Sequence, residues 1–518
     1  MSRYIAKLKL GRAPGLDGIV PEHIKYATET GLPELLCGMF NACAQFGVLP
    51  KQFYTSALLP ILKKPTLNPS EPNNYRPIML STNISKLLEY AILEHTTHEF
   101  SDSQYGFVDG RDTKMAVTTT VDVISYCNSR GSAVYACTLD AEKAFDAIQH
   151  GVLLYKTIGI IDNHWWRLLY KWYSNLQAVI KWNNRLSDPF RMERGTRQGG
   201  LTSPFMFNVI YQDVINDLCN TRGGIKIGNT SYNVSCYADD ILLTSTTAKG
   251  LQKLIDSANS KIVNLGLSFN VKKTSCIVLG RNYLPQPVWR LNNCNISVQN
   301  NIDYLGATLC NDKDFPVLHV KNRISKCRKA FYSLQSAGMC SNGVEPRVIS
   351  HLWKTALQPV LLYGDECFHL KTKHVNELSK TQSKLLKAAL GLRKHMRSTP
   401  LLAALNVPQI KNVISANGML LLNSIIASKS RAKDFYFHIL RNLDNSCQSS
   451  LAHRCLSFCR DNDIRFIKGL FNKKYLSQQC KKVKSYGPGD GLIDSCRQLL
   501  QNYDEYNRYM LWLLLRPY

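Results

Sequence analysis

The sequence predicts an α+β fold organised on a split βαβ sheet, and three observations carry that expectation. "SAVYACTLD" is an apolar run of strand formers that ends at Asp140, and "EKAFDAI" after it has helical spacing. "SCYADDILLTS", residues 235–245, sets Asp239 and Asp240 at the break between two apolar runs, the pattern of a hairpin with an acidic turn. Leu251, Leu254, Ile255, Ala258, Ile262 and Leu265 share one helical face that Gly266 stops, and "TSCIVLG" then supplies a further strand. Strand, helices, hairpin, helix, strand is the order of a split βαβ unit with helices on one face.

The elements around this unit follow from the same signals. Up to residue 50, Gly and Pro punctuation precedes helical spacing in "PELLCGMFNACAQFGVLP". Residues 51–115 mix short apolar runs with Pro65, Pro69, Pro72 and Pro77, which predicts strands and loops more than long helices. In "RGTRQGGLTSPFMFNVIYQDVINDL", Ser203 is placed to cap a helix and Pro204 fits its first turn. Phe207, Ile210, Val214 and Leu218 then form its apolar stripe. Beyond about residue 320 the texture is helical and basic, with fifteen Lys or Arg against four Asp or Glu between Lys321 and Arg397. Such density suits a surface facing a phosphate backbone, although any single charged helix face is equally a solvated one. Residues from about 400 to 518 show helical stripes and no readable motif.

Composition narrows the partners. A 518-residue chain that is 45% hydrophobic is globular and long enough for about three domains. Its formal charge of +26 favours polyanions, nucleic acid first and acidic membrane surfaces second. No uninterrupted apolar stretch of about eighteen residues exists, so no membrane span is expected, and the N-terminus lacks a secretory core. The seventeen cysteines include no C-x-x-C pair, which fits reduced intracellular thiols. Cys447, His453, Cys455 and Cys459 have spacings that match no common zinc pattern and read as ordinary thiols.

A bare Y-x-D-D string is as easily an acidic β-turn as a site. If Asp140 and the hairpin turn meet at one sheet edge, however, three carboxylates crowd together. Each like-charged pair then repels by about 4 kcal/mol at an effective dielectric near 20. Two divalent ions would relieve this and would clamp both oxygens of a phosphoryl transfer; Mg2+ suits carboxylate oxygens and substrate phosphates, with Mn2+ as a substitute.

"TLDAEKAFD", "GTRQGGLTSPFMFN", "YADD", "GLSFNVKKT" and "YLGATL" resemble, in order and interval, the palm motifs of reverse transcriptases. "APGLDGIVPEHI", "LLPILKKPTLNPSEPNNYRPIMLSTNISKLLE" and "SQYGFVDGRDT" resemble the fingers motifs of the non-LTR, LINE-type retrotransposon group. "LLYGDECFHL" and "LSKTQSKLLKAALGL" are similar to its post-palm segment. The likeness covers about residues 10–400 and implies a right-hand polymerase: fingers with an N-terminal extension to 130, palm over 131–315, basic helical thumb over 316–400, and a C-terminal region over 401–518 of unassigned role.

The resemblance also implies roles. Asp140, Asp239 and Asp240 form the metal-binding catalytic set, with Asp239 the more direct ligand. Phe145 is the steric gate against a ribose 2′-hydroxyl, though alone it fits a core ring as well. Lys63, Lys64 and Arg76 grip the triphosphate. Gln198, Gly199 and Gly200 let backbone approach the incoming base pair. Lys273 is the late palm lysine, with Lys272 a competing choice, and Tyr304, Leu305 and Gly306 are the primer grip. Gly200-Leu201-Thr202 departs from the Cys-Pro-Leu-type sequence of many relatives. The implied activity is RNA-directed DNA synthesis from an RNA template, a DNA primer and dNTPs, in a nuclear and cytoplasmic ribonucleoprotein. Any endonuclease is expected from an N-terminal part outside this chain or from a separate protein. The alternatives are an inactive or repurposed RNA-binding remnant and a group II intron maturase-like enzyme. Ala238 and Phe145 argue against an RNA-dependent RNA polymerase.

Overall fold

The computed structural model describes residues 1–142, 144–183, 185–197, 199–280, 287–311, 316–340, 344–442 and 450–455. Helix α1 (Leu32–Phe46) fulfils the early helical spacing, burying Leu36 and Phe40. Strands β1 (Thr55–Leu62) and β2 (Tyr75–Leu80) pair antiparallel across the proline-rich connection. Residues 51–115 hold more helix than their prolines suggested. Once Pro77 is passed, Thr82 caps Ser85 N at 3.2 Å and α2 (Asn83–Glu94) buries Leu87, Leu88, Ala91 and Ile92. Helix α3 (Thr113–Ser129) leads into β3 (Val134–Asp140), and α4 (Asn163–Ser174) into β4 (Gln177–Trp182). Strand β4 lies parallel to β1 and carries two short strands, Arg185–Leu186 and Phe190–Arg191. Residues 177–191, read with the palm in the sequence, therefore build one sheet with residues 55–80.

Helix α5 (Ser203–Asn220) buries the expected stripe of Phe207, Ile210, Val214 and Leu218. Ser203 is its first residue rather than its cap, because its hydroxyl donates to Arg197 O at 2.8 Å. Strands β5 (Val234–Tyr237) and β6 (Asp240–Ser245) form the hairpin. Thr247 then caps α6 (Ala248–Asn264), accepting from Gly250 N at 3.0 Å, and Gly266 follows at φ +71°. Strand β7 (Ser275–Leu279) completes a sheet ordered β7-β3-β6-β5, with Ser297–Val298 outside β7.

Alternation along these strands feeds two cores. Cys137, Leu139, Ile241, Leu243 and Cys276 pack with α5 and α6, whereas Val134, Ala136, Leu242 and Ile277 pack with α3 and C-terminal helices. Helices thus cover both faces, not the single face expected, because α9 (Ile410–Ala427) and α10 (Arg431–Asn442) return to the sheet. By length and apolarity α9 could cross a membrane, a candidate the uninterrupted-run criterion passed over. Here half of it is buried inside the protein.

Between sheet and tail, β8 (Asn301–Tyr304) and β9 (Ala307–Cys310) form a separate hairpin. Helices α7 (Val317–Ser336) and α8 (Thr372–Ala389) enclose a third core around Phe331, Trp353 and Leu386. Cys455 is buried and not disulfide-bonded, and His453 is bound to Ser450 Oγ at 2.9 Å; Cys447 and Cys459 lie outside the described residues.

Candidate active site

Register brings the acids together. Asp140 is the last residue of β3 and Asp240 the first of β6, and the two are direct cross-strand partners, which sets their Cα atoms about 4.5–5.5 Å apart. Asp240 also pairs with Tyr237, so Ala238 and Asp239 are the two central residues of a tight turn. Only Ala238 has a left-handed φ, +56°, the pattern of a type II′ turn. Opposed strand ends and a shared turn thus deliver three carboxylates to one sheet edge.

Their electrostatics record the crowding. Desolvation, then the charges of Asp239 and Asp140, push the Asp240 carboxyl up to about 6. Asp239 is raised chiefly by desolvation and next by Asp140, against its own backbone N–H and the positive charges of Arg76 and Lys273. Lys273 Nζ donates to Asp140 Oδ2 at 3.0 Å, and Lys273, unlike Lys272, lines the cleft. Among the described residues no group of three or more His, Cys, Asp or Glu closes into a metal cage. The donor set at the sheet edge is nonetheless carboxylate oxygen alone, which suits a hard divalent ion that keeps waters and takes further oxygens from a substrate.

The same cleft gathers most of the other residues singled out in the sequence. Lys63, Arg76, Phe145, Gly199 and Gly200 line it with Asp140 and Asp239. Lys63 donates to Asn73 O at 2.8 Å, while Lys64 is exposed and off the cleft lining. Phe145 stacks on Phe207 with centroids 4.1 Å apart, so its ring is a wall of the cleft backed by α5. Gly199 has φ +112°, and a Cβ there would lie 2.6 Å from Met79 O, so only glycine fits. Gln198 lies outside the described residues. In the second hairpin, Leu305 and Gly306 both have positive φ and form the turn. Tyr304 is buried and donates to Ser235 O at 3.0 Å, anchoring that hairpin to β5.

Sequence reasoning missed the supports of the site. Arg197 and Glu89 form an ion pair in which both side chains are almost wholly buried, and the Arg197 guanidinium sits 4.0 Å from the Trp172 ring centroid. Burial pulls Arg197 down to about 9, so it stays charged at neutral pH. Glu89 also accepts from Leu201 N, gripping both ends of the 197–201 loop. Gln104 is the other omission. The only signal for it was its place inside "SQYGFVDGRDT".

A sheet edge that presents three acids beneath basic side chains and an aromatic wall, inside a split βαβ frame, has the donor set for metal-assisted phosphoryl transfer. Residues 61–309 match the family model described as reverse transcriptase (RNA-dependent DNA polymerase). Over those residues the chain is similar to reverse transcriptases, and the curated proteins it resembles are polymerases and Pol polyproteins of mobile elements. It is 24% identical over 427 residues to an RNA-directed DNA polymerase from mobile element jockey of Drosophila funebris, covering 80% of this chain and 46% of that protein. Against a retrovirus-related Pol polyprotein from a type-2 retrotransposable element of Drosophila melanogaster it is 25% identical over 285 residues, covering 53% and 25%. The chain spans about half the length, or less, of these curated relatives. A solved telomerase from Candida tropicalis, in complex with a fragment of telomeric RNA, aligns at a TM-score of 0.38 and 10% identity. That alignment covers 88% of this chain and 68% of that one.

Proposed function

We propose that this chain is an RNA-directed DNA polymerase that extends a DNA primer with dNTPs along an RNA template. The observation that carries the reading is the cross-strand pairing of Asp140 with Asp240 beside the Asp239 turn. Two Mg2+ ions, with Mn2+ as a substitute, would be held by Asp140 and Asp239 with Asp240 adjoining. When bound they supply charge neutralisation at the attacking and leaving oxygens. The primer 3′-hydroxyl loses its proton to solvent as its oxygen bonds to the α-phosphorus of the dNTP, the bond from that phosphorus to the oxygen bridging to the β-phosphate breaks, and pyrophosphate leaves. Arg76 and Lys63 hold the triphosphate as cations on the cleft wall. Lys273 donates to Asp140 and would give a proton to the departing pyrophosphate. Phe145 excludes a 2′-hydroxyl by occupying its space, and Leu305 with Gly306 is the turn that would seat the primer end. The same reading includes a ribonucleoprotein setting in nucleus and cytoplasm and a nick supplied by another protein or segment.

The test is primer extension on an RNA template with dNTPs and Mg2+. The unaltered protein should extend the primer, Asp239→Ala should not, and Phe145→Ala should begin to accept rNTPs. An unaltered protein that binds RNA yet incorporates nothing would support the RNA-binding remnant instead.

A further inference from the structure

Residues 103–107 cross the end of β5 as a strap. Cys236 N donates to Ser103 O at 2.9 Å and Tyr105 N to Cys236 O at 2.8 Å, so the strap runs parallel to β5. It is pinned from outside the hairpin. Arg111 Nη1 donates to Ser101 O and Gln104 O, each at 2.6 Å, and Asn208 Nδ2 donates to Gly106 O at 2.8 Å.

Gln104 is fully buried. Its Oε1 accepts from Gly106 N at 2.9 Å and from Ala238 N at 3.0 Å. Ala238 is the strained residue of the acidic turn and is itself only 3% exposed. The N–H at this turn position has no partner within a two-residue hairpin, so Gln104 satisfies a donor that would otherwise be buried and unpaired. Gly106 allows the approach, since a Cβ there would stand 2.4 Å from Ala238 N. The strap then continues to Phe107, which also has φ +56°. Its ring is exposed and lies edge-on to Phe145, centroids 6.3 Å apart. Two residues of positive φ therefore adjoin the Gly106 contact, Ala238 across from it in the turn and Phe107 next to it in the chain, and strain of this kind persists only where surroundings impose it.

We infer that Gln104 is a positioning residue for the acidic turn, holding Ala238 in its left-handed conformation so that the Asp239 carboxylate meets Asp140. The kinetic consequence rests on the polymerase reading; the structural one does not.

Two measurements on the full chain separate them. Amide hydrogen exchange of a peptide spanning residues 236–240 is compared in the unaltered protein, Gln104→Met, which keeps shape without an acceptor, and Gln104→Glu, which keeps an acceptor oxygen. Exchange should accelerate about tenfold or more in Gln104→Met, the scale of a buried N–H losing its acceptor, and return toward the original in Gln104→Glu. In primer extension, Gln104→Met should lose about tenfold in kcat, need more Mg2+ for half-maximal rate, and keep its affinity for primer–template. Gln104→Glu should restore the rate. Unchanged exchange in Gln104→Met, or loss of primer–template affinity in parallel with kcat, overturns the inference. Absence of extension by the unaltered protein defeats the polymerase reading, and the exchange experiment still decides the role of Gln104.

Discussion

Asp240 shows how one residue's surroundings become a measurable property. Its side chain is open to solvent, yet the protein around it and the neighbouring Asp239 and Asp140 charges push its carboxyl up to about 6, against about 3.9 in an unfolded chain. Between those two values the folded protein holds a proton that the unfolded chain has released, so stability falls as pH rises through the window. Asp239, also raised, acts with the same sign. In chelator, the melting temperature should therefore decline from pH 4 toward pH 6, and Asp240→Asn should flatten part of that slope. A slope untouched by the substitution would remove the claim that the acids repel. Divalent ions added above pH 6 should raise the melting temperature, because they bind the folded cluster and not the unfolded chain.

At the scale of elements, the cleft-lining segment ahead of α5 is held by a pair drawn from distant parts of the chain. Glu89 on α2 and Arg197 ahead of α5 are 2% exposed or less. Removing one member leaves a buried charge alone, so Arg197→Met should cost about 3–5 kcal/mol, while joining it to Glu89→Met should recover most of the loss. Urea unfolding of the single and double variants reads this directly; equal losses in both would show that the charge pairing is incidental. The pair also explains what a sequence can disclose. Asp140, Asp239 and Asp240 were legible because strand ends and turns are local patterns, and so was Phe145 once the motifs stood in order. Glu89 with Arg197, and Gln104 with Ala238, are contacts between residues more than 100 positions apart, and no local periodicity encodes them. The same holds for the parallel pairing of β4 with β1, which joins segments far apart in the chain. The choice between Lys272 and Lys273 required the Asp140 contact, since adjacent lysines in a turn look alike in sequence.

Across the whole molecule the charge is uneven in consequence. The sheet edge gathers acids, while the chain as a whole carries +26. The second core is closed by a buried network in which Asp122 of α3 accepts from Tyr436 hydroxyl at 2.6 Å and from Leu451 N at 2.8 Å. That network fixes α10 and residues 450–455 onto the sheet's far side. After the Leu305–Gly306 turn comes α7, whose Lys321, Lys326, Arg328 and Lys329 are exposed. Its buried apolar side chains, Val320, Ile324, Cys327 and Phe331, belong to the third core, so the helix is anchored by one face and exposes these four cations away from it. A primer–template duplex leaving the acidic edge past that turn would lay its phosphates along this face. Each phosphate neutralised by Lys or Arg on a duplex contributes roughly 0.9 to the slope of log affinity against log salt. Lys321→Ala with Arg328→Ala should therefore lower the slope for primer–template binding by roughly 2 while leaving the dNTP KM unchanged. If the slope stays the same and affinity is retained, the duplex runs elsewhere and α7 is a solvated face.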